Sequence, residues 1–482
     1  MRGTALAAAL LALAACTVGP DFHPPKTTAP AQYGAEPGDV ASTTYGGAMD
    51  AAWWRGFHDP ELDSLVARLA TQNLDLRTAA ERVIQGRAQT EAALSQGLPH
   101  IDYTPSYTHS RQSPKGFISL VTPAPGAPLE YDLFKNMVSA SWELDLFGRV
   151  RRAVEAERAN TEAAEAARRA VALAAVSDLG QSYLSLRGVQ AREAIARANL
   201  ALAHQDTELV VTRFGQGVGT TLDVAQARAQ EARIAATLPA FETTQAALIN
   251  AIGLELAQPP RALERELRAP AAQPPVPPRV PVGLPSELAR RRPDIVEAEA
   301  KLHAATAQTG VAVASFYPDI SLVGDFGMQG LRFADAFNLP ARAADIGPNI
   351  DLPIFQGGRL TAQLTLRKSQ QREAAIAYQK TVLTAWREVD DALTAYAQAQ
   401  KQRTDDARVV DESAKALAAA QAQFREGQVD YLNVVSARAG VLSSQSTLAQ
   451  DDATIATDLV SLYRALGGGW QDVVGPTPVA PG

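Results

Sequence analysis

The sequence has almost no cysteine: Cys16 is the single one among 482 residues. One cysteine excludes an intrachain disulfide and a CxxC metal site. Histidine is also scarce, with six residues that show no HExxH or other paired spacing, so no metal site is expected. The chain also lacks a nucleophile–base pattern and a GK[ST] phosphate loop, which argues against an enzyme.

An excess of basic charge is missing as well. The 45 basic and 52 acidic side chains give a net charge of −7, which argues against non-specific binding along nucleic-acid phosphates. At 46% hydrophobic residues the chain is too apolar to be disordered. Beyond the N-terminus no apolar stretch reaches the roughly 20 residues that a transmembrane helix needs, so no such helix is expected.

Proline is absent from two long tracts, 129–238 and 354–475. Proline costs about 3 kcal/mol inside a helix, and both tracts are rich in alanine, so very long helices are predicted from 149 to about 213 and from 359 to about 425. A helix of roughly 65 residues would measure about 100 Å. Each ends at a glycine-containing turn followed by a returning helix, which predicts helical hairpins with turns at 213–223 and 424–433.

Residues 1–15 carry one charge, Arg2, followed by an apolar run that is typical of a secretion signal. Leu13-Ala14-Ala15-Cys16 fits a bacterial lipobox, in which the cysteine receives a diacylglyceryl group. The residue after the cysteine is Thr17, whereas an aspartate at this position would oppose delivery to the outer membrane. An ordinary cleavage site, Ala12-Leu13-Ala14, with Cys16 present by chance, is the alternative.

An internal repeat organises the rest of the chain. Residues 212–228 match residues 422–438 at an offset of 210, including Phe214 with Phe424 and Gly217 with Gly427. The same offset matches two apolar stripes with 3-4-3 spacing, which indicates buried helix faces. We therefore expect repeat 1 at 59–258 and repeat 2 at 286–466, joined by a proline-rich connection at 259–285. The segments 16–58 and 467–482 would be a lipidated extended segment and a Gly/Pro tail.

Each repeat contains two segments in which apolar and polar residues alternate, which predicts strands at about 99–110, 136–147, 316–328 and 344–355. Such alternation is typical of transmembrane β-barrels, although a soluble half-buried sheet gives the same pattern. Four strands cannot close a barrel, since the smallest membrane barrels need about eight, so several chains would share one. The polar side would line a negative lumen with these acids: Asp102, Glu143, Asp145, Asp319, Asp325 and Asp351.

Several motifs, taken together and in this order, resemble TolC-like outer-membrane efflux factors of the NodT lipoprotein type. The resemblance covers Cys16 to about residue 470, and the motifs that carry it are Val18-Gly19-Pro20-Asp21-Phe22, Trp53-Trp54, Leu146-Phe147-Gly148-Arg149, Arg291-Arg292-Pro293-Asp294, Tyr317-Pro318-Asp319-Ile320 and Pro353-Ile354-Phe355-Gln356-Gly357-Gly358-Arg359.

The resemblance implies a mainly α protein with a membrane β part. Two tandem helix-strand-strand-helix-helix repeats would assemble as a homotrimer sharing a twelve-stranded barrel, continued by a long periplasmic α-helical barrel. It also implies passive conduction, no cofactor beyond lipid on Cys16, and two protein partners, a periplasmic adaptor and an inner-membrane pump, often of the resistance-nodulation-division class.

The resemblance also assigns roles at the hairpin turns. The turn segments that would receive the adaptor are Gly217, Val218, Gly219, Thr220, Gly427, Gln428 and Val429; simple turn chemistry is the alternative. Asp223 would project into the channel and form the narrowest ring, or else cap a helix. The second hairpin has Asn433 at the matching position, and Asp430 could substitute for it.

Two functions remain at this point. One is the outer-membrane exit duct of a tripartite efflux pump. The other is a lipid-anchored structural or adhesin-like coiled-coil protein with a soluble sheet.

Overall fold

The computed structural model describes residues 17–25, 40–113 and 130–475. Two short strands pair in parallel, β1 (Thr43–Tyr45) and β4 (Arg279–Pro281). Four longer strands form a second sheet: β2 (His100–Arg111), β3 (Glu130–Glu143), β5 (Asp319–Gly330) and β6 (Arg342–Asp351). The helices are α1 (Pro60–Gln72), α2 (Leu74–Ser95), α3 (Arg149–Gly215), α4 (Thr221–Ala235), α5 (Leu238–Glu255), α6 (Glu264–Leu267), α7 (Leu288–Arg291), α8 (Pro293–Ala314), α9 (Arg359–Arg425) and α10 (Tyr431–Ala465).

The two long helices are present as the proline-free tracts predict. Both α3 and α9 contain 67 residues. The apolar stripe of α3, formed by Val176, Leu179, Tyr183 and Leu186, is fully buried. In the second copy Val389, Leu393 and Tyr396 are buried and Trp386 is half-buried, so the repeated stripe marks equivalent packing faces.

The returning helices differ between the copies. In the second hairpin α10 runs unbroken for 35 residues. In the first hairpin the return breaks between α4 and α5, where Pro239 lies in the first turn of α5. Proline has no amide hydrogen to donate and fits the first turn of a helix, so it favours a new helix start at this point.

The four-stranded sheet has the order β2-β3-β5-β6, and every neighbouring pair is antiparallel. Residues directly opposite each other lie on the same face, so the register decides how side chains are sorted. One row across the sheet is apolar: Tyr103, Val138, Phe326 and Ala344. The adjacent row on the other face is polar: Asp102, Ser139, Asp325 and Asp345. The alternation in all four strands therefore falls into register and gives the sheet one apolar and one polar face.

The strand ends correct the sequence prediction. β3 starts at Glu130 instead of 136 and ends at Glu143, so Asp145 is not a strand acid. Asp145 has a φ of +40°, which turns the backbone out of the strand. Its carboxylate accepts hydrogen bonds from the amides of Val150 at 2.9 Å and Arg151 at 3.0 Å, so it serves the start of α3.

The second pair of strands is displaced in a similar way. β5 begins at Asp319, not at 316, because the amides of Phe316 and Tyr317 still donate to carbonyls at the end of α8. β6 spans 342–351, so Ile354 lies beyond it. Pro353 cannot donate a ladder hydrogen bond, which accounts for the early end.

Contacts divide the described residues into two compact units. In the unit that holds the four-stranded sheet, the N-terminal segment packs on α3 and α8. Arg152 of α3 pairs with Asp21 at 2.6 Å, and Phe22 stacks on His303 with 4.4 Å between ring centroids. Val18 donates its amide to the carbonyl of Phe147 at 3.2 Å. Two of the motifs, Val18–Phe22 and Leu146–Arg149, thus meet in space.

The other unit contains the β1–β4 pair and both hairpin turns. Trp53 is buried there, stacked on Tyr463 with 5.2 Å between ring centroids. Arg292 is also buried and binds Asp294 and Glu388, each at 2.7 Å. Among the described helices, none is long and apolar enough to cross a membrane.

Candidate functional site

The turn after α3 closes that helix with a Schellman motif. The amide of Val218 donates to the carbonyl of Arg213, and the amide of Gly217 donates to that of Phe214, both at 3.0 Å. The motif needs a left-handed residue, and Gly217 supplies it with a φ of +77°. A residue with a Cβ would cost roughly 1–2 kcal/mol in this conformation.

The turn after α9 has the same geometry. The amide of Gln428 donates to the carbonyl of Gln423 at 2.9 Å, and that of Gly427 donates to Phe424 at 3.0 Å. Gly427 has a φ of +75°. The repeated glycines therefore hold equivalent backbone positions in both hairpins.

Asp223 takes part in a capping box at the start of α4. The Thr220 hydroxyl accepts from the Asp223 amide at 3.1 Å, and the Asp223 carboxylate accepts from the Thr220 amide at 2.9 Å. The carboxylate also accepts from the Thr220 hydroxyl at 2.8 Å. A negative group is favourable at this positive helix end, so the capping role that the sequence offers for Asp223 is present.

The residues at the matching positions of the second hairpin form no capping box. Asp430 precedes α10, and its side chain makes no capping hydrogen bond. Asn433 donates its side-chain amide to the carbonyl of Asp430 at 3.3 Å. The exposed Asp430 carboxylate is therefore not engaged in capping, in contrast to that of Asp223.

A small apolar core lies beneath the two turns. It consists of Val210, Ala227, Tyr431 and Val434, with Phe424 packed against it. The ring centroids of Phe424 and Tyr431 are 5.3 Å apart, and the Arg213 guanidinium lies 4.6 Å from the centroid of Phe424. Burial raises the pKa of Tyr431 to about 12. The core joins the two hairpins at their turns.

Arg438 joins the hairpins a little further from the turns. Its side chain is buried and contacts the Asp206 carboxylate at 2.5 Å. Burial raises the pKa of Asp206 more than Arg438 lowers it. Sequence reasoning missed this pair: Arg228 and Arg438 match in the repeat, but Arg228 is exposed, and the residue matching Asp206 is Ala416.

The surface of the turns is apolar in places. Val218, Leu222 and Leu432 are each more than half exposed. These side chains lie beside the capped turns, so the two hairpins present ordered backbone and exposed aliphatic groups together.

The remaining predicted strand acids lie on the polar face of the sheet. Asp319 is directly opposite Asp351, and Asp102 shares a row with Asp325. The Ser139 hydroxyl donates to Asp325 at 2.5 Å, and Arg149 donates from Nε to Glu143 at 3.1 Å. The face is therefore rich in carboxylates, of which Glu143 is paired with a cation.

Two further points bear on binding. Across residues 17–25, 40–113 and 130–475, no group of three His, Cys, Asp or Glu side chains is placed to hold a metal ion. Cys16, the predicted lipidation site, lies outside the described residues.

Two helical hairpins and an antiparallel sheet with one apolar and one polar face occur together in TolC-like channels. A solved structure of the outer-membrane channel OprN has this fold, with a TM-score of 0.87 and 33% identity over 95% of this chain and 100% of that chain. The Outer membrane efflux protein family model matches residues 65–254 and 284–468.

Two relatives extend the comparison over the whole length. Nodulation protein T of Rhizobium leguminosarum bv. viciae is 33% identical over 98% of this chain and 94% of its own. Probable outer membrane lipoprotein SilC of Salmonella typhimurium is 29% identical over 95% of this chain and 97% of its own. The chain belongs to the outer membrane efflux protein family.

It is an outer-membrane channel that serves as the exit component of a tripartite efflux pump. The family consists of transport proteins rather than enzymes. The structural or adhesin-like alternative is therefore not supported.

The capping box should stabilise the start of α4 by a measurable amount. Thr220→Ala removes the hydroxyl from both of its hydrogen bonds and should cost about 1 kcal/mol at the start of α4. Hydrogen–deuterium exchange should show amides of the first turn of α4 exchanging about fivefold faster. Thr221→Ala is the control, because Thr221 is exposed and is the first residue of the helix rather than its cap. Equal exchange in both variants would contradict the capping role.

Proposed function

We propose that three chains share one barrel of twelve strands, which conducts solutes passively across the outer membrane. The main support is the sorting of side chains in the four-stranded sheet: the apolar face suits contact with lipid, and the polar face suits a water-filled lumen. Within the described residues β2 and β6 are edge strands with one paired side each. Lipid cannot satisfy an open edge, so neighbouring chains would have to pair with them.

In this assembly the lumen receives the acids of the polar face: Asp102, Glu143, Asp319, Asp325 and Asp351. Asp345 joins them, because it lies in the same row as Asp325. Such a lumen favours cations electrostatically.

The predicted organisation of the chain fits the same assembly. A signal peptide at 1–15 and a lipidated segment at 16–58 precede the two repeats, 59–258 and 286–466. The connection at 259–285 would lie in the equatorial region, and 467–482 would form the tail. Each repeat would supply half of the strands and one hairpin of the helical barrel in the periplasm.

The hairpin turns would dock the periplasmic adaptor. The support is that both turns are closed by their own backbone, with Val218 and Leu222 exposed beside the first turn and Leu432 exposed beside the second. A rigid, partly apolar surface loses little conformational entropy on binding. The docking residues are Gly217, Val218, Gly219, Thr220, Gly427, Gln428 and Val429, and the adaptor would connect the channel to an inner-membrane pump of the resistance-nodulation-division class.

Adaptor docking can be tested with Val218→Asp, which places a charge on the exposed turn without touching the Schellman hydrogen bonds. We expect efflux in cells to fall at least tenfold while the amount of channel in the outer membrane stays constant. The control is Leu202→Asp, an exposed position of α3 well before the turn. Full efflux by the Val218 variant would count against docking at this turn.

Asp223 would also contribute to a ring at the periplasmic aperture. In a trimer three Asp223 carboxylates would come together, and close like charges repel one another unless a cation binds between them. Asn433 and Asp430 of the second hairpin would complete the ring with fewer charges. Support comes from the position of Asp223 one turn beyond the tip, where its carboxylate is only half-buried.

Two substitutions separate the charge of Asp223 from its capping role. Asp223→Asn removes the charge but keeps an oxygen that can accept from the Thr220 amide, whereas Asp223→Ala removes both. If the ring acts as a cation-binding gate, both variants should show weaker divalent block and higher conductance than the unmodified channel in planar bilayers. An effect limited to the alanine variant would assign Asp223 to capping alone. If the unmodified protein showed neither conductance in planar bilayers nor a β signal in membranes, the passive duct would itself be refuted.

Lipidation at Cys16 completes the proposal. The support is that the only cysteine falls at the lipobox position, and that one relative is named a lipoprotein. Cys16→Ser should abolish incorporation of radiolabelled palmitate. It should leave the channel assembled, because the barrel would anchor the trimer by itself. Label retained in the serine variant would exclude Cys16 as the acceptor.

A further inference from the structure

The connection between β5 and β6, residues 331–341, lies at the end of the sheet opposite the long helices. β3 and β6 lead into α3 and α9 at one end, while Gly330 and Arg342 bound this connection at the other. In an outer-membrane channel whose helices extend into the periplasm, this end faces the outer leaflet.

The connection is folded against the apolar face of the sheet. Phe333 packs edge-on against Phe134, with 5.7 Å between ring centroids, and Phe337 packs against Phe333 at 5.3 Å. The side-chain amide of Asn136 donates to the buried Ala336 carbonyl at 3.1 Å. Phe134 and Asn136 alternate with the polar positions of β3, so both lie on the apolar face. The connection therefore continues that face.

Its large apolar side chains nevertheless remain mostly exposed. The exposed fractions are 62% for Leu331, 67% for Phe333, 62% for Phe337 and 69% for Leu339. Connections in contact with water are normally polar, and a cluster of this kind marks an interaction surface. Aromatic residues at the end of an apolar barrel face are typical of the membrane–water boundary.

Two cations flank the apolar cluster. Arg332 and Arg342 are exposed, and neither side chain has a hydrogen bond or ion pair with the residues that the structure describes. Arg342 is opposite Met328, which places it on the apolar face. The single acid of 331–342 is Asp335, so its two arginines give this segment an excess of positive charge. By contrast, Arg111 at the same end of the sheet is paired with Glu130 at 3.3 Å.

We propose that this connection docks on a phosphate-bearing lipid of the outer leaflet. Leu331, Phe333, Phe337 and Leu339 enter the acyl region, and the guanidinium groups of Arg332 and Arg342 bind the phosphate. Arginine suits this role because its planar donors match phosphate oxygens in a bidentate arrangement. The inference rests on the proposed function in one respect, namely that the apolar face of the sheet meets lipid.

Depth in the membrane is tested by tryptophan fluorescence. Phe337→Trp reports on the connection, and Ile346→Trp reports on the middle of the apolar face, where Ile346 is exposed. Each full-length variant is reconstituted in phosphatidylglycerol–phosphatidylcholine vesicles with brominated acyl chains, and the parent protein supplies the background signal. We expect quenching at both added tryptophans.

The two reporters distinguish the proposals. Quenching at 346 without quenching at 337 would overturn lipid docking by the connection and leave the barrel proposal intact. Absence of quenching at both positions would overturn both proposals.

Recognition of the phosphate is tested by lipid retention in native mass spectrometry, with phosphatidylglycerol as the probe. Arg332→Gln and Arg342→Gln should each weaken binding about fivefold, and the double variant about 25-fold, as expected for loss of single cations near an anionic lipid. Arg111→Gln is the matched control, and Arg342→Lys should bind better than Arg342→Gln. Binding by the double variant within twofold of the parent protein would overturn the assignment of these arginines.

Discussion

Backbone amides and carbonyls need hydrogen-bond partners, and this need determines how the helices, the turns and the sheet are built. Inside α3 and α9 each peptide group bonds to its own helix, so these elements can extend over 67 residues without support from a sheet. At the turns the Schellman motif satisfies the last carbonyls. In the sheet, the outer sides of β2 and β6 have no partner strand among the described residues. The same demand that makes the helices self-sufficient thus leaves two open sheet edges within the part of the chain that the structure describes.

The register of the sheet gives the apolar–polar alternation of the strands a significance that it lacks in any single strand. Alternation within a single strand is compatible with a soluble sheet, but four strands whose apolar positions coincide row by row create a continuous surface. Tyr103, Val138 and Phe326 are far apart in sequence and adjacent in space. The continuous apolar surface cannot be inferred from any one segment, because it forms only when the strands pair in this register.

Much of the fold could be predicted from the sequence, and the failures have physical causes. The long helices could be predicted from the two proline-free tracts and the repeated apolar stripe, because helix propensity and burial act over many residues. The strand ends were misplaced because they depend on local hydrogen bonds. Asp145 continues the alternating pattern of β3 in the sequence, but its left-handed backbone and its hydrogen bonds to α3 place it outside the strand. The Asp206–Arg438 pair was missed because nothing in the sequence relates these positions on different hairpins.

The internal duplication has a consequence for how such a channel can change over time. Each hairpin turn keeps its glycine, while the residues that follow differ: Thr220 and Asp223 in one copy, Asp430 and Asn433 in the other. In the proposed assembly, a channel built from identical single-copy chains would have to change every hairpin turn at the same time. Because the two copies are fused in one chain, the residues after one turn can change while those after the other stay the same, so the charge of the proposed aperture could be altered one hairpin at a time.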